Sequence, residues 1–170
     1  MVQRYGGPRV DKDFSNTLLG EWSLFFNDSG LFNTAIGYQA LKFNDSGSSN
    51  TAIGAGALDA NIAGDSSVAI GSYALSTATN SDYNVAVGSN ALKMSTSGNN
   101  NTALGTFALT TSTTGSSNTA VGSETLTLLT TGNYNVAVGY STLGSTVTGS
   151  NNIAIGYNVA KAWQGSNLVA

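Results

Sequence analysis

The chain has 170 residues, of which only 9% are charged, and its formal net charge is −3. Recognition of nucleic acid needs clustered Lys and Arg, and only six such residues occur in the whole sequence. The absence of Cys and His excludes disulfides, thiol nucleophiles, imidazole bases and the common transition-metal sites. No run approaches the roughly 18 apolar residues of a membrane span, so we expect no membrane insertion.

Residues 1–15 form the first predicted segment. They carry a third of the charged residues and the only proline, Pro8, and they do not follow the repeat that fills the rest of the chain. They also lack the apolar core of a secretory signal. Such a composition is typical of an extended peptide that becomes ordered only against a partner. We therefore predict an N-terminal attachment segment.

A 17-residue repeat then runs from residue 16 to residue 160. The consensus of the nine copies reads Asn, Thr or Val, Ala, an aliphatic residue, Gly, two variable residues, Ala and Leu, followed by a polar connection. The glycine column consists of Gly20, Gly37, Gly54, Gly71, Gly88, Gly105, Gly122, Gly139 and Gly156. A fixed period of this length is the signature of a solenoid, in which each repeat is one coil.

The residues before each glycine predict a short strand, such as Thr34-Ala35-Ile36, because their polarity alternates with period two. A second short strand is predicted around Ala40-Leu41. We predict an all-β protein, a parallel β-roll or β-solenoid of nine coils. Its interior is predicted to hold the aliphatic and leucine columns, and the flat Ala/Gly face would admit another chain closely. The inverse assignment is equally consistent with the alternation.

Two further columns lie in or beside the polar connection. A second glycine column, which we name the loop glycines, contains Gly30, Gly47, Gly64, Gly98, Gly115, Gly132 and Gly149. Both glycine columns are expected to mark corners that need the conformational freedom of glycine. The Asn that begins eight of the nine repeats is expected either to form a ladder of amides along the axis or to act in turns.

Surface aromatics are the candidate binding residues. Tyr38, Tyr140 and Tyr157 directly follow the column glycine, and Tyr73 and Phe107 occupy the next position. Such side chains on variable corners could stack on sugar rings or contact a receptor. The alternative is that they pack at a corner of the roll or at a subunit seam.

Acidic residues are the only plausible catalytic or metal-binding groups. Asp28 and Asp45 occupy one loop position in adjacent coils, and Asp65 and Asp82 occupy another. Neighbouring carboxylates could share Ca²⁺, but the glycine-aspartate repeat of calcium-binding β-rolls is missing. A two-carboxylate glycosidase would need a cleft. We therefore expect no metal, no cofactor and no enzymatic activity.

Residues 161–170 end the chain. They follow the last repeat and contain Trp163 and the apolar tail Asn167-Leu168-Val169-Ala170. Terminal coils of a solenoid must cover their exposed strand edges. We therefore predict a C-terminal cap or a joint to another molecule.

The repeats Asn-Val-Ala-Val-Gly at 135–139, Asn-Ile-Ala-Ile-Gly at 152–156 and Ser-Val-Ala-Ile-Gly at 67–71 resemble the YadA-like head repeats of trimeric autotransporter adhesins. They are also similar to repeats in tail fibres of bacteriophages, including cyanophages. The resemblance implies a left-handed, homotrimeric β-roll that serves in attachment. The chain departs from the adhesins by a longer period and by lacking a coiled-coil stalk, a membrane anchor and an export signal.

These features together predict a structural or adhesive protein, a trimeric fibre or spike component of a phage virion that mediates attachment to a host surface. Its partners would be other virion proteins, contacted through residues 1–15, and a cell-surface glycan. Its location would be the virion or an extracellular surface. The alternatives are a filament subunit that stacks head to tail, a bacterial adhesin head, and an ice-binding solenoid, whose threonine column would be interrupted at Val68, Val85, Val136 and Ile153.

Overall fold

The structure is a computed structural model that describes residues 9–11 and 15–170. Its ten strands form one sheet whose spatial order equals the chain order, as predicted for a solenoid. The strands are β1 (Arg9–Asp11), β2 (Asn16–Leu19), β3 (Thr34–Ile36), β4 (Thr51–Ile53), β5 (Val68–Ile70), β6 (Val85–Val87), β7 (Thr102–Leu104), β8 (Thr119–Val121), β9 (Val136–Val138) and β10 (Ile153–Ile155).

Strands β2 to β10 are parallel and pair in the register of the repeat. Thr34 of β3 lies opposite Thr51 of β4, and Ile36 lies opposite Ile53. Every later pair keeps the same offset of 17 residues. The predicted all-β solenoid is therefore confirmed, with nine parallel strands and one turn of backbone between each pair of neighbours.

The strand face that lines the interior of the roll is the opposite of the predicted one. Ala35 of β3 is fully buried, as are Ala40 and Leu41 on the opposite wall of the coil. The outward-facing Thr34 and Ile36 are only partly buried. The leucine column is thus interior, as predicted, but the aliphatic column is not, and the alanine column takes its place.

The narrowness of the coil explains this arrangement. One wall is a strand of three residues and the other is the turn that carries the leucine, so the two walls face each other directly. A large leucine opposite a small alanine fills such a gap without a void. An isoleucine opposite the leucine would push the walls apart.

The second predicted strand, around Ala40-Leu41, is wrong. Residues 38–43 form a turn in which Gln39 and Leu41 have φ values of 60° and 50°. Such left-handed backbone is uncommon for residues other than glycine. Axial hydrogen bonds offset its cost, because the Leu41 N–H donates to the Ala57 carbonyl of the next coil at 3.0 Å.

At the N-terminal end, β1 pairs antiparallel with β2, with Arg9 opposite Leu18 and Asp11 opposite Asn16. We expected residues 1–15 to become ordered only against a partner. For Arg9–Asp11 that prediction is corrected, because this strand covers the first edge of the parallel sheet. Residues 1–8 and 12–14, which hold the rest of the predicted attachment segment, lie outside the described residues.

At the C-terminal end, residues 161–167 complete the ninth coil and residues 168–170 open another. Trp163 is the last member of an inward-facing loop column, and its indole N–H donates to the Asn152 side-chain oxygen at 3.2 Å. Val169 then bridges to Ile153 in parallel fashion. This end therefore combines an aromatic cover over the core with a short continuation of the ladder.

Candidate functional site

The five predicted binding aromatics all lie on one corner of the roll, directly after the strand. Tyr38, Tyr73, Phe107, Tyr140 and Tyr157 are between 43% and 74% exposed. The backbone conformation explains part of this exposure. Tyr73 and Phe107, the second residues after the column glycine, have φ values of 57° and 60°. The size of the side chain also matters, because Ser141 occupies the same position and is buried.

Only two of these residues come together. The rings of Tyr140 and Tyr157, in the last two coils, stack with centroids 5.6 Å apart and an interplanar angle of 15°. The Tyr140 hydroxyl donates to the Glu124 carboxylate at 3.2 Å. This hydrogen bond and the negative charge of Glu124 raise the pKa of Tyr140. The group forms a paired aromatic platform with an acid at its edge.

The other three aromatics are spread along the corner. Tyr38, Tyr73 and Phe107 belong to the second, fourth and sixth coils, so two coil spacings separate each from the next. The Lys93 ammonium lies 5.5 Å from the Tyr73 ring centroid, and the ring lies directly over Gly56 of the preceding coil. These residues therefore present separate contacts rather than one site.

The glycine column lies beside this corner and is structural. Gly88 has a φ of 135°, which side chains rarely allow, and a Cβ atom there would lie 2.5 Å from the Gly105 carbonyl oxygen. The other internal members meet the next glycine in the same way. Both the backbone conformation and the space available at this corner therefore favour glycine.

The loop glycines have a different cause from the one predicted. Their φ values lie outside the left-handed region, so conformational freedom is not the reason. A Cβ atom on Gly115 would instead lie 2.6 Å from the Gly132 carbonyl and 2.9 Å from the Ser112 hydroxyl. Close stacking of the loops selects glycine here.

The asparagine column forms a buried ladder, the first of the two alternatives. The side-chain oxygen of Asn33 accepts the backbone N–H of Asn50 at 2.9 Å. Its amide nitrogen crosses the coil and donates to the Gly47 carbonyl at 2.8 Å. Each Asn thus ties its coil to the next and closes its own loop. Ser67 replaces Asn in the fourth coil, and its hydroxyl accepts the Asn84 N–H at 3.1 Å.

A second ladder runs along the loop corner and was missed from the sequence. The Ser48 N–H donates to the Asp65 carboxylate at 2.7 Å, and the Asp65 N–H donates to Asp82 at 2.8 Å. The Asp82 N–H in turn donates to the Asn99 side chain at 2.7 Å. These aspartates therefore act as acceptors for backbone groups of the preceding coil. The signal was a column restricted to Ser, Asp and Asn from residue 48 onward.

Aromatic side chains also crowd the first coils. Trp22 packs on the edge of Phe25, and Phe25 on the edge of Phe26. Phe26 then stacks on Phe43 of the second coil. Trp22 occupies the same repeat position as Tyr73, so the cluster extends from the aromatic corner of the first coil to Phe43 of the second and is more than a cap.

Acidic side chains do not gather into a metal site in the part of the chain that the structure describes. Within residues 9–11 and 15–170, no three of them converge as metal ligands would, and no helix there is long and apolar enough to cross a bilayer. No protein-family model matches the chain, and no curated protein or solved structure is detectably similar to it.

Proposed function

We propose that the protein is a homotrimeric β-roll, a fibre or spike component of a phage virion that attaches the particle to a host surface. The observation that carries the proposal is the outer face of the parallel strands. There the aliphatic column and the Thr/Val column form one continuous, partly exposed stripe along the whole roll.

The stripe is too apolar to be an ordinary solvent-facing strand surface. Leu19 and Ile70 are each 37% exposed and Ile155 is 62% exposed. Contiguous apolar surface of this kind marks an interaction site. Three parallel copies that turn these faces toward a common axis would bury all three stripes. The interface we propose is therefore the aliphatic face, not the Ala/Gly face expected from the sequence.

The shape of the roll supports a role as a spacer. Nine coils at about 4.8 Å each give a rod of about 43 Å. Its backbone hydrogen bonds join successive coils along the axis, and its exposed aromatics lie on the corner that follows the strand. In this proposal residues 1–15 join the rod to other virion proteins, and the aromatic corner contacts the host surface, including its glycans.

The filament alternative is less well supported. Head-to-tail growth of the parallel sheet needs a free edge at both ends, and β1 already occupies the edge of β2. A bacterial adhesin head would share the trimeric roll. The two are separated by where the protein resides, which immunogold labelling of particles and of cells would determine.

The direct test of the assembly is the mass in solution. We expect multi-angle light scattering to give three times the chain mass of 17.2 kDa. Ile70→Lys places three charges at the proposed axis and should yield folded monomers, whereas Ser97→Lys on the exposed loop side should leave the trimer intact. A wild-type monomer at micromolar concentration would contradict the assembly.

The attachment role needs a separate measurement. Fluorescently labelled trimer should bind host cells and should compete with intact particles for them. Replacing Tyr140 and Tyr157 together by Ser should reduce binding without changing the mass. Trimers that neither bind cells nor occur in particles would contradict the proposed role even if the architecture is correct.

A further inference from the structure

A slot on the loop side of the roll lies outside the aromatic corner. It has a volume of about 580 Å³, within the range of small-molecule sites. The residues that line it are Phe26, Phe43, Asp45, Ala60, Ile62 and Thr79. It lies in the first to fourth coils, toward the opposite end of the rod from the Tyr140–Tyr157 platform.

The slot exists because one aromatic column stops abruptly. Phe26 and Phe43 occupy the same position in successive coils and stack with centroids 5.3 Å apart and an interplanar angle of 4°. The next member of the column is Ala60, whose side chain is a single methyl group. The space that a third ring would fill is left open beside Phe43, with Ile62 on the other side.

A negative charge stands at this opening. Asp45 lines the slot and is exposed, and in the described part of the chain no group donates to its carboxylate. Lys42 lies nearby, with its ammonium 4.7 Å from the Phe43 ring centroid, but it does not line the slot and its charge acts on Asp59. The slot therefore offers an apolar wall and a hydrogen-bond acceptor within the width of a few side chains.

We propose that this slot binds one neutral pyranose ring of a surface polysaccharide. The C–H face of the sugar would pack on Phe43 and Ile62, and one of its hydroxyls would donate to Asp45. A purely apolar side chain from a protein partner fits less well, because it would remove the Asp45 carboxylate from water without giving it a partner. The proposal rests on the attachment role and names the ligand for a second site.

The test is a titration of the intact protein with three simple probes. These are the methyl β-glycosides of glucose, galactose and N-acetylglucosamine, added to millimolar concentration while methyl NMR signals are followed. We expect at least one probe to shift the Ile62 methyl signal and to leave that of Ile155, at the far end, unchanged. No shift at Ile62 with any of the three would overturn the proposal.

Filling the slot provides the matched control. Ala60→Leu should raise the dissociation constant at least tenfold, and it should fold, because Leu128 already occupies the same position in the seventh coil. Ala60→Met is a second filling variant that should fold, because Met94 occupies the same position in the fifth coil. Ala162→Leu adds the same atoms at the same position in the ninth coil and should bind like wild type. Unchanged binding by both filled variants would place the sugar elsewhere.

These outcomes separate this inference from the proposed function. If the protein binds host cells but none of the sugars, only the proposed sugar site is contradicted. If the protein binds a sugar at Ile62 but neither binds cells nor occurs in particles, only the proposed attachment role is contradicted. Asp45→Asn should weaken sugar binding severalfold while leaving the melting temperature unchanged, which a purely steric slot would not show.

Discussion

A Cβ atom on Gly88 would lie 2.5 Å from the carbonyl oxygen of Gly105, one coil further along the roll. The two glycines are therefore in direct backbone contact, and their φ values of 135° and 143° rule out ordinary side chains independently. A substitution here must both strain the corner and separate two coils.

We accordingly expect Gly88→Ala to lower the free energy of unfolding by several kcal/mol, about 3 or more, through combined strain and overpacking. Ser89→Ala, at the adjacent and partly exposed position, should change it by less than about 0.5 kcal/mol. Chemical denaturation followed by circular dichroism measures both. Similar midpoints for the two variants would show that the coils are not in contact at this column.

Leu75 and Ile70 lie in the same coil, with Leu75 buried on the turn wall and Ile70 facing outward from the strand, so their substitution distinguishes the core from the proposed interface. Leu75 is fully buried, so Leu75→Ala should cost about 2–5 kcal/mol per chain. Ile70→Ala should cost about 1 kcal/mol or less within a chain, but should weaken association of the trimer. Denaturation at several protein concentrations measures the two effects. An Ile70→Ala variant whose stability is independent of concentration and equal to that of wild type would argue against the aliphatic interface.

Substitution of Asn101 should show how much one asparagine of the buried ladder contributes to the free energy of unfolding. Its side-chain oxygen accepts the Asn118 N–H at 3.0 Å and its amide donates to the Gly115 carbonyl at 2.8 Å. Asn101→Ala leaves both groups buried without partners, at about 1–3 kcal/mol each. Asn101→Ser should be milder, because Ser67 shows that a hydroxyl can accept the next N–H. Amide hydrogen exchange at Asn118 should rise in the same order, Ala above Ser above wild type.

Two residues of the fourth coil differ from those at the same positions in other coils, and we expect their effects on stability to be coupled. Ser81 stands at a loop-glycine position, and Ala78 is the smallest member of the inward-facing loop column that elsewhere crowds those glycines. In the preceding coils this column is an amide ladder, with Asn61 donating to Asn44 at 2.7 Å. The side-chain oxygen of Asn61 is left buried without a partner, because Ala78 cannot donate to it.

The double variant Ala78→Asn/Ser81→Gly should therefore extend the ladder by one rung. We expect it to raise the free energy of unfolding by about 1 kcal/mol, the worth of one added hydrogen bond. Ala78→Asn alone should be destabilising, because the new amide would crowd Ser81. A double-mutant cycle by thermal denaturation gives the coupling energy. Additive effects of the two changes would contradict this packing argument.

Tyr140 should titrate above the ordinary pKa of about 10 for tyrosine, because Glu124 accepts its proton in a hydrogen bond and repels the phenolate. Phenolate absorbance should show one late titration step that moves toward the ordinary value in Glu124→Gln and disappears in Tyr140→Phe. Since the folded pKa is the higher one, the contribution to stability is complete below about pH 10 and is lost as the pH rises through the folded pKa. A titration curve unaffected by Glu124→Gln would show that the contact is not maintained in solution.

The repeat and the glycine column could be predicted because the 17-residue spacing is present in the amino-acid sequence itself. Which face of the strand is interior could not, since alternation defines two faces without naming the inner one. That choice depends on the opposite wall, where Leu41 needs a small partner. The left-handed φ of Leu41 was equally inaccessible, because leucine does not favour that conformation.

The contacts of the candidate site were also only partly predictable from the sequence. Stacking of Tyr140 on Tyr157 follows from one repeat position in adjacent coils, so the sequence alone was sufficient to deduce it. The contact from Tyr140 to Glu124 could not be deduced, since it joins different positions of two coils. The corner ladder from Ser48 to Asn99 was within reach of the sequence, but its aspartates were considered only as possible ligands of Ca²⁺, which we did not expect to bind.

Each rung of the asparagine ladder joins residues one repeat apart, wherever it lies along the rod. Adding a coil therefore closes a loop of constant size and presents the next coil with the same set of donors and acceptors. A gene could gain or lose 17 codons in this region without creating a new folding problem. Rod length would then change in steps of about 4.8 Å, and in the proposed attachment role the reach of the rod could be adjusted independently of the residues that make the contact.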